Sequence, residues 1–490
     1  MPSWVRKTCA VGIWLLVWQL AAMLVASDIL LASPILTVAT LGRNLLVLAF
    51  WLAIAGSMLR VFLGFAIAFV LGLALGALAY RQHLVAELLN PALTFIKSVP
   101  IVCFIVMLLI WFGSAWVSLA AVFLVAFPAI YFAVFEGLNQ RDLKLDEMIT
   151  VFQVKGIRKL LAYYWPSVLP FLQATCKTIV GMSWKSGVAA ELIGLPLGSI
   201  GERIYRAKVL LNSADVFAWT IVVVAISVVA ELLFLQLLER SENWLWRLSL
   251  PTPPTNAATT VAVASTPTAA TAAASSTTAT ASPATTPATA TATQTRLSPQ
   301  KIEARNLSRS YDGNTVLNSL DLQLEPGGRY ALNAPSGTGK TTLLRLLAGL
   351  DQPDSGTLTN ANSVSMVFQE ARLFERQSAV ENLRLTVGQA ASGEAIRATL
   401  ERLLPADSLD QPTAALSGGM RRRVELCRAL LAPSQCVLLD EPFAGLDAKN
   451  HTAAQELTSA LLGKRTIVIV SHDPKDVELL NLKPISLTAK

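Results

Sequence analysis

Long apolar segments dominate the first half of the chain, whereas the C-terminal part alternates short apolar runs with polar turns. A helix needs roughly 20 apolar residues to cross the hydrocarbon layer of a membrane. Six segments come close to or exceed this length: residues 11–27, 57–80, 88–112, 116–138, 168–189 and 215–238. The pattern therefore predicts a multi-domain chain in which residues 1–250 form an all-α polytopic membrane domain with six transmembrane helices.

The first apolar segment has an alternative interpretation as a secretory signal peptide, because Arg6 and Lys7 precede its apolar core. No clear cleavage site of small residues follows it, which favours a membrane span. Basic residues favour the cytoplasmic side, and with six spans those at positions 6–7, 81, 141–159 and 240–247 share one side. The loop at 195–212 is also basic but lies on the opposite side of the membrane in this arrangement, so the charge asymmetry between the two sides is incomplete. Both termini are predicted to be cytoplasmic.

Composition supports a membrane protein, since 53% of the residues are hydrophobic and the mean hydropathy is +0.51. The net charge of +7 fits cytoplasmic loops that face anionic lipid, and no basic stripe interleaved with aromatic residues suggests nucleic acid. The five cysteines show no CxxC spacing, so reduced thiols are expected.

A low-complexity segment separates the two halves of the chain. Residues 251–295 contain only Ala, Thr, Pro, Ser, Val, Asn and Gln. Such a segment cannot bury a core, so we expect a disordered linker over residues 251–296. A flexible coil of this length spans on the order of 40 Å. A second domain is predicted over residues 297–490.

The second domain contains a candidate phosphate-binding loop at residues 333–342, Asn-Ala-Pro-Ser-Gly-Thr-Gly-Lys-Thr-Thr. Backbone N–H groups of such a loop, at the start of a helix, hold phosphate oxygens. The expected nucleotide ligands are Ser336, Gly337, Thr338, Gly339, Lys340, Thr341 and Thr342, with the Thr341 hydroxyl also on Mg²⁺. The pattern G-x-x-x-x-G-K-[ST] has glycine where this chain has Ala334. Alanine can form the loop only if this residue does not need a positive φ.

Two further motifs follow downstream. The run Val-Leu-Leu-Asp-Glu at 437–441 predicts a buried strand that places Asp440 at Mg²⁺ and Glu441 at an attacking water. The alternative is a core strand that leads into an acidic turn without a catalytic role. At 416–420, Leu-Ser-Gly-Gly-Met predicts a helix start that is either a second anion site or an ordinary N-cap.

In this order the motifs resemble the nucleotide-binding domain of ABC transporters over about residues 301–490, which implies an α/β P-loop fold that hydrolyses ATP with Mg²⁺. The resemblance implies a head-to-tail dimer in which each ATP lies between one phosphate loop and the other copy's signature. By position, the resemblance implies that Tyr311 stacks on adenine and that Gln369 links Mg²⁺ to the membrane domain. It implies that Ser417, Gly418 and Gly419 form the signature. Asp447 then lies in the loop after Glu441, and His472 contacts the γ-phosphate. The alternative for Tyr311 is a solvent-exposed tyrosine at the edge of a strand, with no contact to a nucleotide.

A second resemblance concerns the membrane domain. Between residues 142 and 165 the chain is basic and helix-compatible, and it resembles the cytoplasmic coupling segment of binding-protein-dependent permeases of the nitrate, sulfonate and taurine group. Glu147 matches the glutamate of that pattern, Ile149 stands at its alanine, and Gln153 stands at its glycine, with Gly156 three residues later. The alternative is an amphipathic helix on lipid headgroups.

Together the resemblances imply a type I importer-like half-transporter of the cytoplasmic (inner) membrane, with the N-terminus, linker and ATPase domain in the cytoplasm. The resemblance implies a homodimer that imports a small solute, which is a small anion such as nitrate, a sulfonate or taurine, or a related organic solute. A separate extracytoplasmic binding protein delivers it. An exporter or a non-transporting mechanochemical ATPase remain the alternatives. Lys185 and Glu191, at the outer end of the fifth span, either line a polar path or extend to the interface.

Overall fold

The computed structural model describes residues 2–251, 298–335, 337–485 and 487. These residues form two compact units, one of residues 1–141 and 164–245 and the other of residues 142–163 and 246–490. Residues 252–297, which include all but the first residue of the predicted linker, and Ser336 lie outside the described residues. The segment at 142–163 thus belongs to the same compact unit as the C-terminal domain.

The first unit is helical, as the apolar pattern predicts. The helices of the N-terminal half, including those of the segment at 142–163, are α1 (Ser3–Val25), α2 (Pro34–Leu45), α3 (Leu48–Arg81), α4 (His83–Ser98), α5 (Ile101–Asn139), α6 (Leu143–Val151), α7 (Ile157–Lys159), α8 (Trp165–Gly194), α9 (Ile200–Val209) and α10 (Ser213–Ser249). A π-helical turn, Leu160–Tyr164, precedes α8. In the described part of the chain, α1, α3, α5 and α10 are long and apolar enough to cross a membrane.

The third predicted span, residues 88–112, is wrong as a continuous helix. The chain leaves helical conformation at Val99 and Pro100, between α4 and α5. Proline lacks the backbone N–H and disfavours helical geometry in the residue before it, which explains the break. A second interruption within α5 lies at Gly113, whose φ of 71° and ψ of 176° divide this long helix near its first third.

Side chains from α3, α5 and α8 form the core of the membrane unit. Its buried members include Phe65, Ile130, Leu169 and Leu172. Glycines permit the close approach, since a Cβ on Gly64 would lie 2.5 Å from the Leu119 carbonyl oxygen. Helix α8 buries one apolar face in this core, and Gly181 on its other side faces Ser227 and Glu231 of α10.

In its described residues, the second unit contains two sheets and six further α-helices. The strands are β1 (Ile302–Tyr311), β2 (Asn314–Leu324), β3 (Arg329–Leu332), β4 (Ser355–Thr359), β5 (Val364–Val367), β6 (Cys436–Asp440), β7 (Thr466–Val470) and β8 (Lys483–Ile485). The helices are α11 (Lys340–Leu347), α12 (Ala379–Val387), α13 (Gly393–Glu401), α14 (Gly418–Leu431), α15 (Ala448–Leu462) and α16 (Pro474–Leu479).

The larger sheet is parallel with strand order β5-β6-β7-β3-β8, and the smaller is antiparallel with order β2-β1-β4. Strands β6 and β7 are fully buried, in keeping with their continuous apolar runs. The carboxyl ends of β3, β5, β6 and β7 lie at one edge, which is where ligands bind in open α/β sheets. The predicted α/β fold of this domain is confirmed.

Candidate functional site

The phosphate-binding loop connects β3 to α11. Gly337 and Gly339 have φ values of 84° and 88°, a region that L-residues with side chains rarely adopt. A Cβ on Gly339 would also lie 2.8 Å from Leu317. Ala334 is not among the described residues with positive φ. The departure from the glycine pattern at this position therefore carries no backbone strain.

Lys340, the first residue of α11, reaches back across the loop. Its ammonium donates to the carbonyl oxygens of Ala334 and, at 3.2 Å, of Pro335. Its Nζ also lies 3.3 Å from Nε2 of His472. Both side chains are predicted to contact the phosphates of a nucleotide, and the fold brings them together.

Thr341 and Asp440 meet across the edge of the sheet. The Thr341 hydroxyl donates to Asp440 Oδ2 at 3.0 Å. Burial raises the pKa of Asp440, which is 2% exposed, and the hydrogen bond from Thr341 opposes that effect. A hydroxyl and a carboxylate are oxygen donors of the kind that Mg²⁺ prefers. These two groups fit the predicted metal site.

Glu441 follows β6 directly and has a φ of 48°. Non-glycine residues in this region cost of order 1–3 kcal/mol and cluster at functional sites. Its carboxylate lies 3.8 Å from His472 Nε2, and both side chains are partly exposed. The carboxylate thus stays accessible beside the buried Asp440.

Gln369 lies exposed just after β5, in the loop at the carboxyl edge of the sheet. Arg422 of α14 joins this loop to the end of β6, because its guanidinium donates to the Gln369 carbonyl at 3.1 Å and to the carbonyls of Asp440 and Glu441 at 2.6 and 2.7 Å. A run of three charged residues, Arg421 to Arg423, favours the surface of the helix, but the Arg422 side chain is buried.

Tyr311 ends β1 with 37% of its surface exposed. The Arg309 guanidinium lies 4.8 Å from the centre of its ring, and the tyrosine hydroxyl donates to Asp351 Oδ2 at 2.7 Å. Arg345 of α11 binds the same carboxylate through Nε at 2.8 Å. The role of Tyr311 in adenine stacking stays a prediction.

The signature residues form the start of α14. Ser417 is the N-cap and accepts from the Met420 N–H at 3.3 Å, and Gly418 and Gly419 follow in the first turn. A Cβ on Gly419 would lie 3.7 Å from the Gly445 carbonyl oxygen, so the signature adjoins the loop that leads to Asp447.

Asp447 itself caps α15 by accepting from the Asn450 N–H at 2.8 Å. Hydrogen bonds from Asn450 hold the pKa of the Asp447 carboxyl below its ordinary value. No described hydrogen bond joins Ser417 or Asp447 to the phosphate loop of the same chain.

The segment at 142–163 contacts the ATPase fold through Glu147 of α6. The Glu147 carboxylate accepts from Arg345 Nη1 and Nη2 at 3.0 and 2.9 Å, and it also accepts from Arg372. Burial would raise the pKa of Glu147, but the hydrogen bonds from Arg345 and Arg372 outweigh it, so the pKa lies below its ordinary value. Both arginines are more buried than the carboxylate, since 24% of the Arg345 side chain and 12% of the Arg372 side chain are exposed, against 29% for Glu147.

Further contacts surround this ion-pair cluster. The Arg428 guanidinium lies 4.9 Å from the centre of the Phe152 ring, and the Gln153 amide donates to the Asn362 carbonyl at 2.8 Å. Gln153 has a φ of 53°, so it adopts the left-handed conformation that explains a glycine at this place in the family pattern. Lys144 pairs with Glu370, next to Gln369.

Sequence reasoning missed Arg345, Asp351 and Arg372. Each is a charged residue close behind a recognised motif, Arg345 five residues after Lys340 and Arg372 three after Gln369. A charged residue on the buried side of a short amphipathic helix indicates an ion pair, and this signal identifies Arg345 but not its partner. That partner, Glu147, is 198 residues away in sequence.

Comparison with known proteins agrees with both halves of the chain. Residues 317–444 match the family described as ABC transporter, and residues 68–243 match the family described as binding-protein-dependent transport system inner membrane component.

Relatives that match part of this chain include three proteins named for the import of aliphatic sulfonates. The aliphatic sulfonates import ATP-binding protein SsuB 1 of Pseudomonas fluorescens is 40% identical over 36% of this chain and 70% of its own length. A protein of the same name from Rhodococcus jostii is 37% identical over 37% of this chain and 77% of its own length. The aliphatic sulfonates import ATP-binding protein SsuB 3 of Paraburkholderia xenovorans is 41% identical over 36% and 72%. This chain thus belongs to the ABC transporter family and joins, in one polypeptide, an inner-membrane permease domain and an ATPase domain.

Proposed function

We propose that this protein imports a small anion of the sulfonate type, as a homodimer supplied by a separate extracytoplasmic binding protein. The observation that carries the proposal is the contact of Glu147 with Arg345. Arg345 lies on α11, the helix that begins at the nucleotide-binding Lys340. One short helix therefore connects the phosphate loop to the segment that interrupts the permease.

The residues of the ATP site have distinct roles in this proposal. Lys340 leaves its contacts with the loop carbonyls and binds the β- and γ-phosphates, while the backbone of Gly337 to Gly339 surrounds them. Glu441 orients and polarises the attacking water, and His472 contacts the γ-phosphate. Thr341, Asp440 and Gln369 would hold Mg²⁺, which neutralises developing charge on the phosphates.

A second copy of the chain completes each site. Ser417, Gly418 and Gly419 present a helix start, which favours a phosphate group by its N–H groups and dipole. In this chain that helix start makes no described hydrogen bond to its own phosphate loop. ATP would bind between the phosphate loop of one copy and the signature of the other, and hydrolysis would remove the ligand that holds them together.

The two partners of Glu147 connect permease and nucleotide by separate routes. Arg345 belongs to the helix of the phosphate loop, and Arg372 follows the loop of Gln369. Movement of either α11 or the loop of Gln369 on nucleotide binding would therefore displace a hydrogen-bond partner of the same carboxylate. We place the ATPase domain, the linker and the N-terminus in the cytoplasm, where ATP is available, and the permease in the inner membrane.

The class of solute rests on the relatives, whose names specify import of aliphatic sulfonates. To test the proposal, the full chain would be reconstituted in liposomes with candidate binding proteins loaded with ethanesulfonate, taurine or nitrate. We expect one loaded binding protein to stimulate ATP hydrolysis and the unloaded protein to stimulate it less. Absence of stimulation by all of them would overturn the proposed import of this class of anion.

A further inference from the structure

Helix α10 is much longer than a membrane requires, and its end belongs to the ATPase unit. It has 37 residues and is therefore about 55 Å long, whereas the hydrocarbon layer is about 30 Å thick. Its last four residues, 246–249, are part of the compact unit that contains the ATPase domain, and the residues before them are part of the membrane unit. One continuous helix, apolar enough to cross a membrane, thus ends within the ATPase unit.

Trp246 is the buried side chain at this end of the helix. It is 1% exposed, and its ring centre lies 5.1 Å from that of Phe374, with the two ring planes at 63°. Aromatic rings favour such tilted, edge-to-face arrangements. The indole Nε1–H has no hydrogen-bond acceptor among the described residues, so packing and not a hydrogen bond holds the ring. Trp244, two residues earlier, is instead 63% exposed.

Phe374 is held firmly by the ATPase domain. Its N–H donates to Asn382 Oδ1 at 2.8 Å, and its carbonyl accepts from the Asn382 amide at 3.1 Å and from the Thr413 hydroxyl at 3.0 Å. Asn382, on α12, is 1% exposed and Thr413 is fully buried. Buried hydrogen bonds are costly to leave unmade. Phe374 should therefore move together with α12 and with the turn at Thr413.

The turn at Thr413 leads directly to the signature. The N–H groups of Thr413 and Ala414 donate to the carbonyls of Gln377 and Glu375, both at 2.9 Å. Ser417, the N-cap of α14, follows three residues after Ala414. The start of the signature helix is thus tied through the backbone to the segment at 374–377, which carries the aromatic partner of α10.

This contact differs from that of Glu147. The Glu147 carboxylate accepts from Arg345, which belongs to the helix of the phosphate loop, and from Arg372. Trp246 contacts Phe374, two residues beyond Arg372, in the segment that is bonded to the signature. The phosphate loop is therefore connected to the segment at 142–163, and the signature is connected to the end of α10.

We propose that Trp246 is a positioning residue that couples the signature to helix α10. This inference rests on the proposed function, in which ATP lies between the phosphate loop of one copy and the signature of the other. When ATP draws the signature towards the other copy, the segment at 374–377 moves with it. Closely packed side chains transmit such a displacement, because separating them would open a cavity. The movement then reaches a membrane helix without passing through Glu147.

The first experiment observes Trp246 directly and does not depend on transport. The full chain, which has 11 tryptophans, would be labelled with 5-fluorotryptophan and placed in lipid nanodiscs, and the ¹⁹F resonance missing from Trp246→Phe would be assigned to position 246. We expect this resonance to shift or split when Mg²⁺ and a non-hydrolysable ATP analogue bind, with binding verified by co-elution of the nucleotide. A resonance that stays the same once nucleotide is bound would overturn the inference, whether or not the protein imports any solute.

The second experiment measures uptake of radiolabelled ethanesulfonate per ATP hydrolysed in proteoliposomes. Trp246→Ala should lower this ratio at least about fivefold while basal ATP hydrolysis is retained. Trp246→Phe keeps an aromatic ring and loses no described hydrogen bond, so it should keep most of the wild-type ratio. Trp244→Ala, which removes an exposed tryptophan from the same helix, is the matched control and should couple normally.

The outcomes separate coupling from a structural role. A normal ratio in Trp246→Ala would overturn the inference. So would a normal ratio together with reduced basal hydrolysis, because that result would show that Trp246 only stabilises the fold. If the wild-type chain imports no anion, the proposed function fails, and the ¹⁹F resonance of Trp246 still decides whether nucleotide binding moves the end of α10.

Discussion

Replacing Glu147 by Lys should separate ATP hydrolysis from transport. The wild-type carboxylate accepts hydrogen bonds from Arg345 at 2.9 and 3.0 Å and from Arg372. Charge-assisted hydrogen bonds contribute about 1.5–3 kcal/mol each when buried. Glu147 is 29% exposed, so solvent screening reduces that contribution considerably.

The remaining partners of the two arginines limit the cost further. Arg345 keeps Asp351, which it binds through Nε at 2.8 Å and Nη2 at 3.1 Å, and Arg372 keeps the face of Phe368, 3.8 Å from its guanidinium carbon to the ring centre. We therefore expect Glu147→Gln to cost about 2 kcal/mol of docking free energy, which is roughly a 30-fold change in the equilibrium. Glu147→Lys should cost more, because it places a third cation between two guanidinium groups.

The assay is uptake per ATP hydrolysed in proteoliposomes. Glu147→Lys should hydrolyse ATP at close to the basal rate but transport at least about tenfold less solute per ATP. Lys155→Gln, an exposed position in the same segment, is the control and should couple normally. A cycle of Glu147→Gln and Arg372→Gln should show a coupling energy above about 1 kcal/mol. Normal uptake by Glu147→Lys would refute the reasoning.

The pKa of Glu147 gives the same contact a pH dependence. Because its pKa is lowered in the folded protein, the contact is at full strength above the ordinary carboxyl value of 4.5 and is lost as pH falls through the folded pKa. The protection factors of residues 142–163, which compare their hydrogen exchange with the intrinsic rate at the same pH, should therefore stay constant from pH 7 down to about pH 5 and fall only below the ordinary value. Loss of protection already near pH 6 would contradict the lowered pKa.

Three further predictions concern the ATPase domain. Glu441→Gln should abolish turnover and leave ATP bound between paired copies, as measured by retained nucleotide after gel filtration; retained turnover would disprove its role with the water. Ala334→Gly should change the hydrolysis rate by less than about twofold, because Ala334 does not have positive φ, and a large increase would show that alanine restrains the loop. Arg422→Met should lower the midpoint of thermal unfolding by several degrees, since it leaves the buried carbonyls of Phe368 and Asp440 without a donor; an unchanged midpoint would show that these carbonyls find other donors.

Local sequence signals predicted most of the ATPase fold. Continuous apolar runs marked the buried parallel strands, and the glycines of the phosphate loop marked backbone that side chains disfavour. The approach of Lys340, Thr341, Asp440 and His472 follows from strands that end at one edge of a sheet. For that reason motif order alone was enough to group them.

Contacts that depend on tertiary packing could not be predicted in the same way. The helix break at Pro100 follows from the local effect of proline, but the prediction of a span over residues 88–112 used only the length of the apolar segment. Arg422 looked like a helix-surface residue within a run of three arginines, and only the packing of α14 under the loop of Gln369 buries it. The partners of Glu147 come from distant parts of the chain, so no spacing in the sequence identifies them.

The direction of transport tests the central claim most directly. The full chain would be reconstituted in liposomes with ATP sealed inside and a loaded binding protein outside, and radiolabelled ethanesulfonate would be followed over time, with Glu441→Gln as the control without turnover. The account predicts that solute accumulates in the compartment that contains ATP, and that the control accumulates none. Movement of solute out of the ATP-containing compartment, or ATP hydrolysis stimulated with no net movement of solute, would contradict it.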